Sequence, residues 1–174
     1  MLIVFSGLPG VGKTAIAREM ARTLGAVHLR VDSIEQALRR AGYCVEGEGY
    51  DVAYAVAEDN LRAGRTVIAD CVNPWPLTRG AWRLVAERAG VAALDVEIVC
   101  SDVAEHRRRV ESREPDIAGH ALPTWQDVVT RDYHDWDRDR LVVDTAASDV
   151  TAGVRAIVSR LSTQARRARP SPGE

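Results

Sequence analysis

The sequence predicts an α/β fold in which a parallel sheet is covered by helices on both faces. Short runs of apolar residues alternate along the chain with longer segments whose apolar residues recur at helical spacing, and this alternation is typical of parallel sheets with helical crossovers. The chain has 174 residues, of which 46% are hydrophobic and 28% are charged, and these values suit one domain with one substantial core. We expect this domain to span residues 1–163, followed by a flexible tail over residues 164–174.

Runs that are rich in Val, Ile and Leu predict the strands. The first run enters a glycine-rich turn directly, and the third run ends at an aspartate. Each run is followed by turn residues or by a segment of helical spacing, as expected for strands joined by crossovers. The predicted strands cover about residues 2–6, 27–31, 65–69, 94–100 and 141–144.

Apolar residues that recur three or four positions apart predict the helices between the strands. One helix starts after Ser33 and is ended by Gly42, and another starts after the Asn-Pro-Trp-Pro turn. Two prolines and a glycine interrupt the pattern over residues 114–124 and predict a mobile loop there. The predicted helices cover about residues 12–24, 34–41, 50–63, 77–89, 102–113, 125–136 and 150–161.

A phosphate-binding motif follows the first predicted strand. The pattern is G-x-x-x-x-G-K-[ST] in its required context of strand, turn and helix, and it is formed by Gly7, Leu8, Pro9, Gly10, Val11, Gly12, Lys13 and Thr14. Glycines let successive N–H groups turn inward around an anion, and the following helix points its positive end to the same place. The lysine supplies a charge for the β- and γ-phosphates, and the threonine hydroxyl is a ligand for Mg²⁺. The motif therefore predicts a site for a nucleotide, with ATP as the default, and for Mg²⁺.

Two carboxylates follow the second and third predicted strands. Functional groups of an open parallel sheet gather beyond the carboxyl ends of the strands, so we expect Asp32 and Asp70 near the γ-phosphate. Phosphoryl transfer to a hydroxyl needs a group that orients the hydroxyl or accepts its proton, and a way to hold Mg²⁺. Asp32 is a candidate for catalysis, for the metal and for the acceptor, and Asp70 is a candidate for the metal and for the acceptor. The alternatives are a helix N-cap for Asp32 and a mere strand end for Asp70.

The acceptor is expected between the helices over residues 33–63 and the turn after the third strand. Asn73 and Trp75 stand in the sequence Asn-Pro-Trp-Pro, which predicts a rigid turn at the carboxyl end of a strand. Together with Tyr43 and Arg79, these residues form the predicted acceptor site beside the two aspartates. The other large aromatic residues stand at helical spacing and are predicted to pack in the core: Trp82, Trp125, Tyr133 and Trp136.

Arg109 and Arg113 lie four residues apart on a predicted helix that precedes the loop over residues 114–124. This spacing places both side chains on one helical face. Guanidinium groups there can bind phosphate oxygens through paired hydrogen bonds or stack on an adenine, so we expect both arginines to bind the nucleotide. The alternative is a solvated charged helix in which Glu105 and Glu111 are the partners of the arginines.

Charge and cysteine content argue against several classes of protein. The net charge of −2 provides no overall attraction to nucleic acid or to an anionic membrane. No apolar run is long enough to span a bilayer. The three cysteines are widely spaced and form neither a disulfide pattern nor a metal-binding pattern, so we expect reduced thiols in a cytoplasmic protein. The oligomeric state is left open.

The order and spacing of the phosphate-binding motif, the strand-end aspartates and the arginines before a loop resemble those of the compact P-loop kinases. This group includes the shikimate and gluconate kinases, chloramphenicol phosphotransferase, polynucleotide 5′-hydroxyl kinases and zeta-toxin-like kinases, and such chains are often called AAA-family ATPases. The resemblance implies a P-loop NTPase three-layer sandwich with a five-stranded parallel sheet of order 2-3-1-4-5. It also implies that Asp32 is a catalytic base or substrate anchor, that residues 114–124 form a lid, and that Arg109 and Arg113 bind the nucleotide and the transition state.

The sequence departs from this group after the third predicted strand, where Asp70-Cys71-Val72-Asn73 replaces the three glycines of shikimate kinases. No named metabolite is therefore implied. The strand ending in Asp-Glu and the helical C-terminal domain of ring-forming ATPases are also missing. We expect an ATP-dependent, Mg²⁺-requiring kinase that phosphorylates a hydroxyl of a small molecule. The alternatives are a polynucleotide 5′-hydroxyl kinase and a nucleotide-dependent switch with slow ATP hydrolysis.

Overall fold

A computed structural model describes the backbone of residues 1–167 and the side chains of residues 1–164. Its five-stranded sheet is parallel throughout. The strands are β1 (Leu2–Ser6), β2 (Val27–Arg30), β3 (Val67–Asp70), β4 (Ala93–Val99) and β5 (Leu141–Asp144), in the spatial order β2-β3-β1-β4-β5. The predicted fold class and strand order are confirmed, and each strand lies within about two residues of its predicted bounds.

Helices cover both faces of the sheet. Within residues 1–167 they are α1 (Lys13–Leu24), α2 (Val31–Arg40), α3 (Glu48–Arg62), α4 (Pro76–Arg88), α5 (Val103–Ser112), α6 (Trp125–Val129) and α7 (Val150–Arg167). The central strand β1 alternates between two cores, because Ile3 and Phe5 pack with α1 and α7 whereas Leu2 and Val4 pack with α3 and α4. None of these described helices is both long and apolar enough to cross a membrane. The three cysteines are free.

The helix predicted over residues 125–136 is much shorter than expected. α6 ends at Val129, and the chain that follows is held in an irregular path by a tertiary contact. The buried guanidinium of Arg79 donates hydrogen bonds to the carbonyl oxygens of His134 and Asp135 at 2.7 Å and 2.9 Å. These bonds satisfy backbone acceptors outside a helix, so a contact from a distant element overrides the local apolar spacing.

The aromatic residues predicted for the core differ in their burial. Trp82 is fully buried, and its ring meets Tyr54 edge-on at 4.6 Å. Trp125 is half-buried beside the imidazole of His106, with ring centroids 5.2 Å apart. Tyr133 and Trp136 are half-buried over the guanidinium that binds their own segment. The core prediction is therefore confirmed for Trp82, while the other three are only half-buried.

Two helix boundaries also differ from their predicted places. α2 begins at Val31, so Asp32 lies in its first turn and Arg30 occupies the N-cap position. At the other end of the chain, α7 includes residues 164–167 of the predicted tail. The rest of that tail, residues 168–174, lies outside the described residues.

Candidate active site

The loop between β1 and α1 has backbone angles that favour glycine, and it has no room for a side chain at Gly7 or at Gly10. Gly7, Gly10 and Gly12 have positive φ angles of 139°, 86° and 95°, which residues with a Cβ atom disfavour. A Cβ on Gly7 would collide with the carbonyl oxygen of Ile98, and a Cβ on Gly10 would collide with the side chain of Val110. α1 begins without a side-chain cap. The first N–H groups of α1 and the bare loop form a cradle that suits the phosphates of a nucleotide.

Lys13 lies against this loop with only 9% of its surface exposed. Its Nζ donates a hydrogen bond to the carbonyl oxygen of Leu8 at 2.8 Å. Burial lowers the pKa of the amine, whereas the negative charges of Asp70 and Asp32 act in the opposite direction. The lysine is therefore held beside the cradle and close to both strand-end carboxylates.

Asp70 is a buried carboxylate at the end of β3. Its Oδ2 accepts a hydrogen bond from Nε2 of His28 at 3.3 Å. Burial by itself would raise the pKa of Asp70, but hydrogen bonds from His28 and Thr14 and the charge of Lys13 hold this pKa below its usual value. Asp70 is consequently ionised at neutral pH, and it lines the same cavity as the hydroxyl that the motif assigns to Mg²⁺.

The Thr14 hydroxyl and the Asp70 carboxylate suit a magnesium ion. Mg²⁺ usually takes one or two oxygen ligands from a protein, while phosphates and water complete its octahedral shell. Residues 1–167 contain no group of three or more His, Cys, Asp and Glu side chains placed to hold a metal by themselves. The residues present therefore fit a metal that arrives with a nucleotide better than a metal bound by the protein alone.

Asp32 is in a more open environment than Asp70. Its carboxylate lies 3.6 Å from the guanidinium of Arg30, and 39% of the side chain is exposed. Its charge also acts on Lys13 and on Arg113. The N-cap alternative is wrong, because α2 starts one residue before Asp32 and has no side-chain cap. Asp32 instead presents its carboxylate to the space beside the phosphate cradle.

Arg109 and Arg113, which their sequence spacing places on one helical face, have different partners in the structure. Arg109 donates to Glu105 at 2.7 Å, and it donates from Nη1 and Nη2 to the hydroxyl and carbonyl oxygens of Thr145, both at 2.9 Å. Arg113 is half-buried just after α5, where burial lowers the pKa of its guanidinium and the charge of Asp32 raises it. The Nε of Arg113 is buried without a hydrogen-bond partner among the described residues. Arg109 is thus anchored, whereas Arg113 keeps an unused donor.

Neighbouring arginines on α5 match the alternative of a solvated helix. Arg107 pairs with Glu111 at 2.8 Å, and Arg108 pairs with Glu105 at 2.6 Å. Both arginine side chains are more than half exposed, at 59% and 66%. Exposed ion pairs of this kind contribute little to stability. The exposed face of α5 therefore carries arginines that pair only with nearby glutamates, whereas Arg109 on the other face is also held by Thr145.

The loop over residues 114–124 has the irregular structure that was predicted, and it lies along one side of the cavity. Asp116 in this loop forms ion pairs with Arg18 on α1 at 2.5 Å and with Arg30 at 2.7 Å. The hydrogen bond from Arg30, aided by Arg18, outweighs burial and lowers the pKa of Asp116 to about 2. Because Arg30 also faces Asp32, one guanidinium links the loop to the candidate base. The mobility of the loop stays a prediction.

Two residues predicted to contact the acceptor, Asn73 and Arg79, have structural roles instead, and a third, Tyr43, lies outside the cavity lining. Asn73 is fully buried, and it donates from its side chain to the hydroxyl of Ser6 and from its backbone to the hydroxyl of Tyr50, both at 2.9 Å. Arg79 is also fully buried, and its guanidinium binds backbone carbonyl oxygens. Tyr43 is 65% exposed but lies outside the lining of the cavity. The predictions for Asn73 and Arg79 are wrong, because these two buried side chains stabilise a turn, whereas the acceptor role of Tyr43 stays a prediction.

One cavity of about 1150 Å³ joins most of the remaining predicted residues. It extends from the phosphate cradle past both aspartates to the turn after β3. The sequence-predicted residues in its lining are Pro9, Gly10, Gly12, Lys13, Thr14, Asp32, Asp70, Trp75, Arg109 and Arg113. The structure therefore brings the predicted phosphate, metal, base and lid residues into one space.

Sequence reasoning missed the side chains that support the cradle from behind. Nε2 of His106 donates to the carbonyl oxygen of Pro9 at 2.8 Å, and the hydroxyl of Thr145 lies 2.8 Å from the carbonyl oxygen of Val11. The sequence could have indicated a role for Thr145, since this residue directly follows a predicted strand. No feature of the sequence indicates the role of His106, because its hydrogen-bond partner is 97 residues away along the chain. The sequence could also have indicated a role for Arg30, because it is a charged residue in a mainly apolar predicted strand.

The sheet order, the glycine-rich loop and the cavity at the carboxyl edge of the sheet define a P-loop protein with a kinase-like fold. A family model described as an AAA domain matches residues 2–131, which is more than half of the chain. The chain therefore belongs to this AAA domain family. No curated protein matches the sequence.

Solved structures share this fold over nearly their whole length. A gluconokinase from Sinorhizobium meliloti 1021 is 18% identical with a TM-score of 0.64, over 95% of this chain and 93% of that one. The Mycobacterium tuberculosis APS kinase CysC in complex with AMPPNP and APS is 18% identical with a TM-score of 0.70, over 92% and 96%. Chaetomium thermophilum Kti12 in complex with ADP-AlF3 is 21% identical with a TM-score of 0.63, over 94% and 98%. At these identities the similarity shows the fold, and it confirms the resemblance to P-loop kinases.

Proposed function

We propose that this protein is an ATP-dependent, Mg²⁺-requiring kinase that transfers the γ-phosphate to a hydroxyl group of a small molecule. The observation that carries the proposal is the exposed carboxylate of Asp32 in the same cavity as the phosphate cradle. A kinase needs a group that orients or deprotonates the attacking hydroxyl, whereas a nucleotide-dependent switch does not. The similarity in fold to a gluconokinase and to an APS kinase supports the same class of reaction.

The residues around the cradle account for the phosphate end of the cavity. The N–H groups of the loop and of the first turn of α1 would bind phosphate oxygens, and Lys13 would add a positive charge. Thr14 and Asp70 are the residues that would hold Mg²⁺. When bound, MgATP supplies the phosphoryl group and the charge neutralisation that its transfer requires.

The residues on the other side account for the acceptor end. Asp32 would hold the acceptor hydroxyl and take its proton, while Arg30 keeps the carboxylate in place from 3.6 Å. Arg113 would direct its unused Nε donor to charge that develops during transfer. The loop over residues 114–124 would exclude water, which limits hydrolysis of ATP.

Charges around the cavity favour a small acceptor over a polynucleotide. Arg18 and Arg30 are both paired with Asp116, and Arg39 is paired with Glu35 at 3.0 Å. A groove for a nucleic-acid backbone needs cations that remain available to phosphates. Three arginines of the cavity lining are therefore matched by carboxylates, which supports a neutral or mixed-charge small molecule.

The test is transfer of labelled γ-phosphate from ATP, with Mg²⁺, to a panel of small hydroxyl compounds and, separately, to an oligonucleotide with a free 5′-hydroxyl. We expect a small compound to be labelled by the wild-type protein but not by Lys13→Ala, and only slowly by Asp32→Asn. Labelling of the oligonucleotide alone would contradict the proposal. ATP hydrolysis that no compound redirects would instead support the switch.

A further inference from the structure

Trp75 places a large aromatic ring in a cavity that is otherwise rich in charged side chains. Its surface is 45% exposed, and it lines the cavity five residues beyond Asp70. Glu35, Gln36 and Arg39 line the same cavity. Binding sites commonly combine an aromatic surface with a few polar groups that fix orientation, and the acceptor end of this cavity has that composition.

The ring of Trp75 is held in place by its surroundings. Its Nε1 donates a hydrogen bond to Oδ2 of Asp132 at 3.0 Å. Its carbonyl oxygen accepts hydrogen bonds from the backbone N–H of Arg79 at 3.1 Å and from the hydroxyl of Thr78 at 3.0 Å. Hydrogen bonds therefore hold both the backbone and the edge of the indole, while 45% of the residue stays exposed at the cavity that it lines.

Hydrogen bonds from the side chain of Arg79 stabilise the turn that contains Trp75. This fully buried guanidinium donates to four backbone carbonyl oxygens, those of Asn73, Pro74, His134 and Asp135. It also stacks on the ring of Trp136 at 4.1 Å. The φ angle of Asn73 is 52°, a conformation that costs energy outside glycine and persists only where the surroundings impose it. The position of Trp75 is thus determined by many contacts before any ligand binds.

We propose that Trp75 is a stacking platform and that the acceptor of this kinase is an alcohol that contains a ring. The proposal rests on the proposed function, because it names the substrate class for the same cavity. An indole face binds an aromatic ring by offset stacking, and it binds the C–H face of a sugar ring by apolar contact. An open-chain polyol offers no such face. A platform fixed in advance also reduces the entropy lost on binding.

The experiment measures binding by titration calorimetry to the full chain in the presence of Mg²⁺ and AMPPNP. The probes are a methyl glycopyranoside, a nucleoside and a phenyl-substituted alcohol as ring compounds, and sorbitol as the open-chain compound. We expect at least one ring compound to bind more tightly than sorbitol. Trp75→Ala should weaken that binding by roughly three- to tenfold, which is the loss expected for one aromatic contact, and Trp75→Phe should retain part of it.

The matched control is Leu77→Ala, which removes an 80% exposed apolar side chain from the first turn of α4, outside the cavity lining. It should leave all the probes unaffected, and AMPPNP affinity should be the same in every variant. Equal binding of the ring compound by wild type and Trp75→Ala, or preference for sorbitol, would overturn the platform. The pattern of affected probes distinguishes a sugar face from an aromatic face.

Asp132→Ala tests the fixed orientation of the ring. It removes the acceptor for Nε1 but leaves the indole itself, so ring binding should weaken less than in Trp75→Ala and more than in Leu77→Ala. Unchanged binding would show that the hydrogen bond does not prepare the platform. Phosphate transfer separates the two proposals: ring binding without transfer contradicts the kinase alone, whereas transfer that Trp75→Ala leaves intact contradicts the platform alone.

Discussion

Asp32 and Asp70 follow neighbouring strands but differ in what they can do. Asp70 is 3% exposed and accepts a hydrogen bond from His28, and its negative charge acts on Lys13 at the phosphate end of the cavity. Asp32 is 39% exposed and has Arg30 as its ion-pair partner. A group that receives a proton from an incoming hydroxyl must be reachable by that hydroxyl. This difference in accessibility supports the proposal that Asp32 is the base and that Asp70 binds the metal.

Asp32→Asn is the sharpest test of this assignment. The substitution keeps the shape and removes the charge, so turnover should fall by roughly 10²-fold or more while ATP affinity stays nearly unchanged. Steady-state kinetics and nucleotide titration measure the two quantities separately. Glu35→Gln, which changes another carboxylate of the cavity lining, is the matched control and should have the smaller effect on turnover. Full activity of Asp32→Asn would remove the base from the mechanism.

At the residue scale, the sequence predicts groups whose positions follow from the backbone alone. Lys13 and Thr14 are placed by a motif, and Asp32 and Asp70 by the rule that strand ends meet at one edge. It cannot predict the direction of a polar side chain within a turn, which is why Asn73 was misassigned. It also cannot predict partners that are distant along the chain. The pair of Arg30 and Asp116, separated by 86 residues, is of this kind.

At the scale of elements, the loop over residues 114–124 is anchored by one side chain. Asp116 reaches Arg18 and Arg30, which belong to α1 and to the end of β2. Local composition correctly predicted irregular structure there, because two prolines and a glycine break a helix. The same reasoning failed for residues 125–136, where apolar spacing suggested a long helix. Contacts with Arg79 decide the path of that segment, and local spacing holds no information about them.

The contribution of the Asp116 ion pairs to the stability of the folded protein should depend on pH. The pKa of Asp116 is lowered to about 2 from an ordinary value of 3.8, first by the hydrogen bond from Arg30. Because the folded-state pKa is lowered, the ionised carboxylate stabilises the folded protein above the ordinary value, and this contribution is lost as the pH falls toward about 2. The effect is small, since solvent screens a side chain that is 42% exposed.

Urea unfolding of wild type and Asp116→Asn measures this contribution. The free energies of unfolding should differ at neutral pH and converge as the pH is lowered below about 4. Asp59→Asn, at an exposed carboxylate on α3, should show no such convergence. A difference between wild type and Asp116→Asn that stays constant with pH would show that the ion pairs do not contribute through the charge of Asp116.

Nucleotide binding should order this loop further. Hydrogen exchange over residues 114–124 should be faster than in the strands without nucleotide and should slow when MgATP or an analogue binds. Arg113→Ala should slow transfer more than it weakens ATP binding, because its guanidinium serves charge that develops in the transition state. Arg107→Ala, which alters an exposed arginine of the same helix, is the control. Equal exchange in both states and a kinetically silent Arg113→Ala would refute the lid.

At the scale of the whole molecule, alternation of strands and helices was enough to predict the architecture. β1 is buried on both sides, with Ile3 and Phe5 in one core and Leu2 and Val4 in the other, and such strands occur where helices cover both faces of a sheet. The strand order is not contained in this alternation, and it came from the resemblance to P-loop kinases. The cavity lies at the carboxyl edge that every strand shares, so the site is a consequence of the architecture.

The whole chain should also be stabilised by the nucleotide through Lys13, which is the only lysine among its 174 residues. MgATP at about 100 times its dissociation constant should stabilise the folded state by about 2.7 kcal/mol, which raises the melting temperature of a chain of this size by roughly 5 to 10 °C. Lys13→Ala should lose most of this shift, because it removes the cation beside the phosphates.

Lys13→Arg should also lose much of the shift in melting temperature, since the site is 9% exposed and a guanidinium is wider than an ammonium. Arg88→Ala, at an exposed ion pair with Glu58, should keep the full shift. Thermal melts with and without MgATP decide the matter, and a shift that survives in folded Lys13→Ala would place the nucleotide elsewhere.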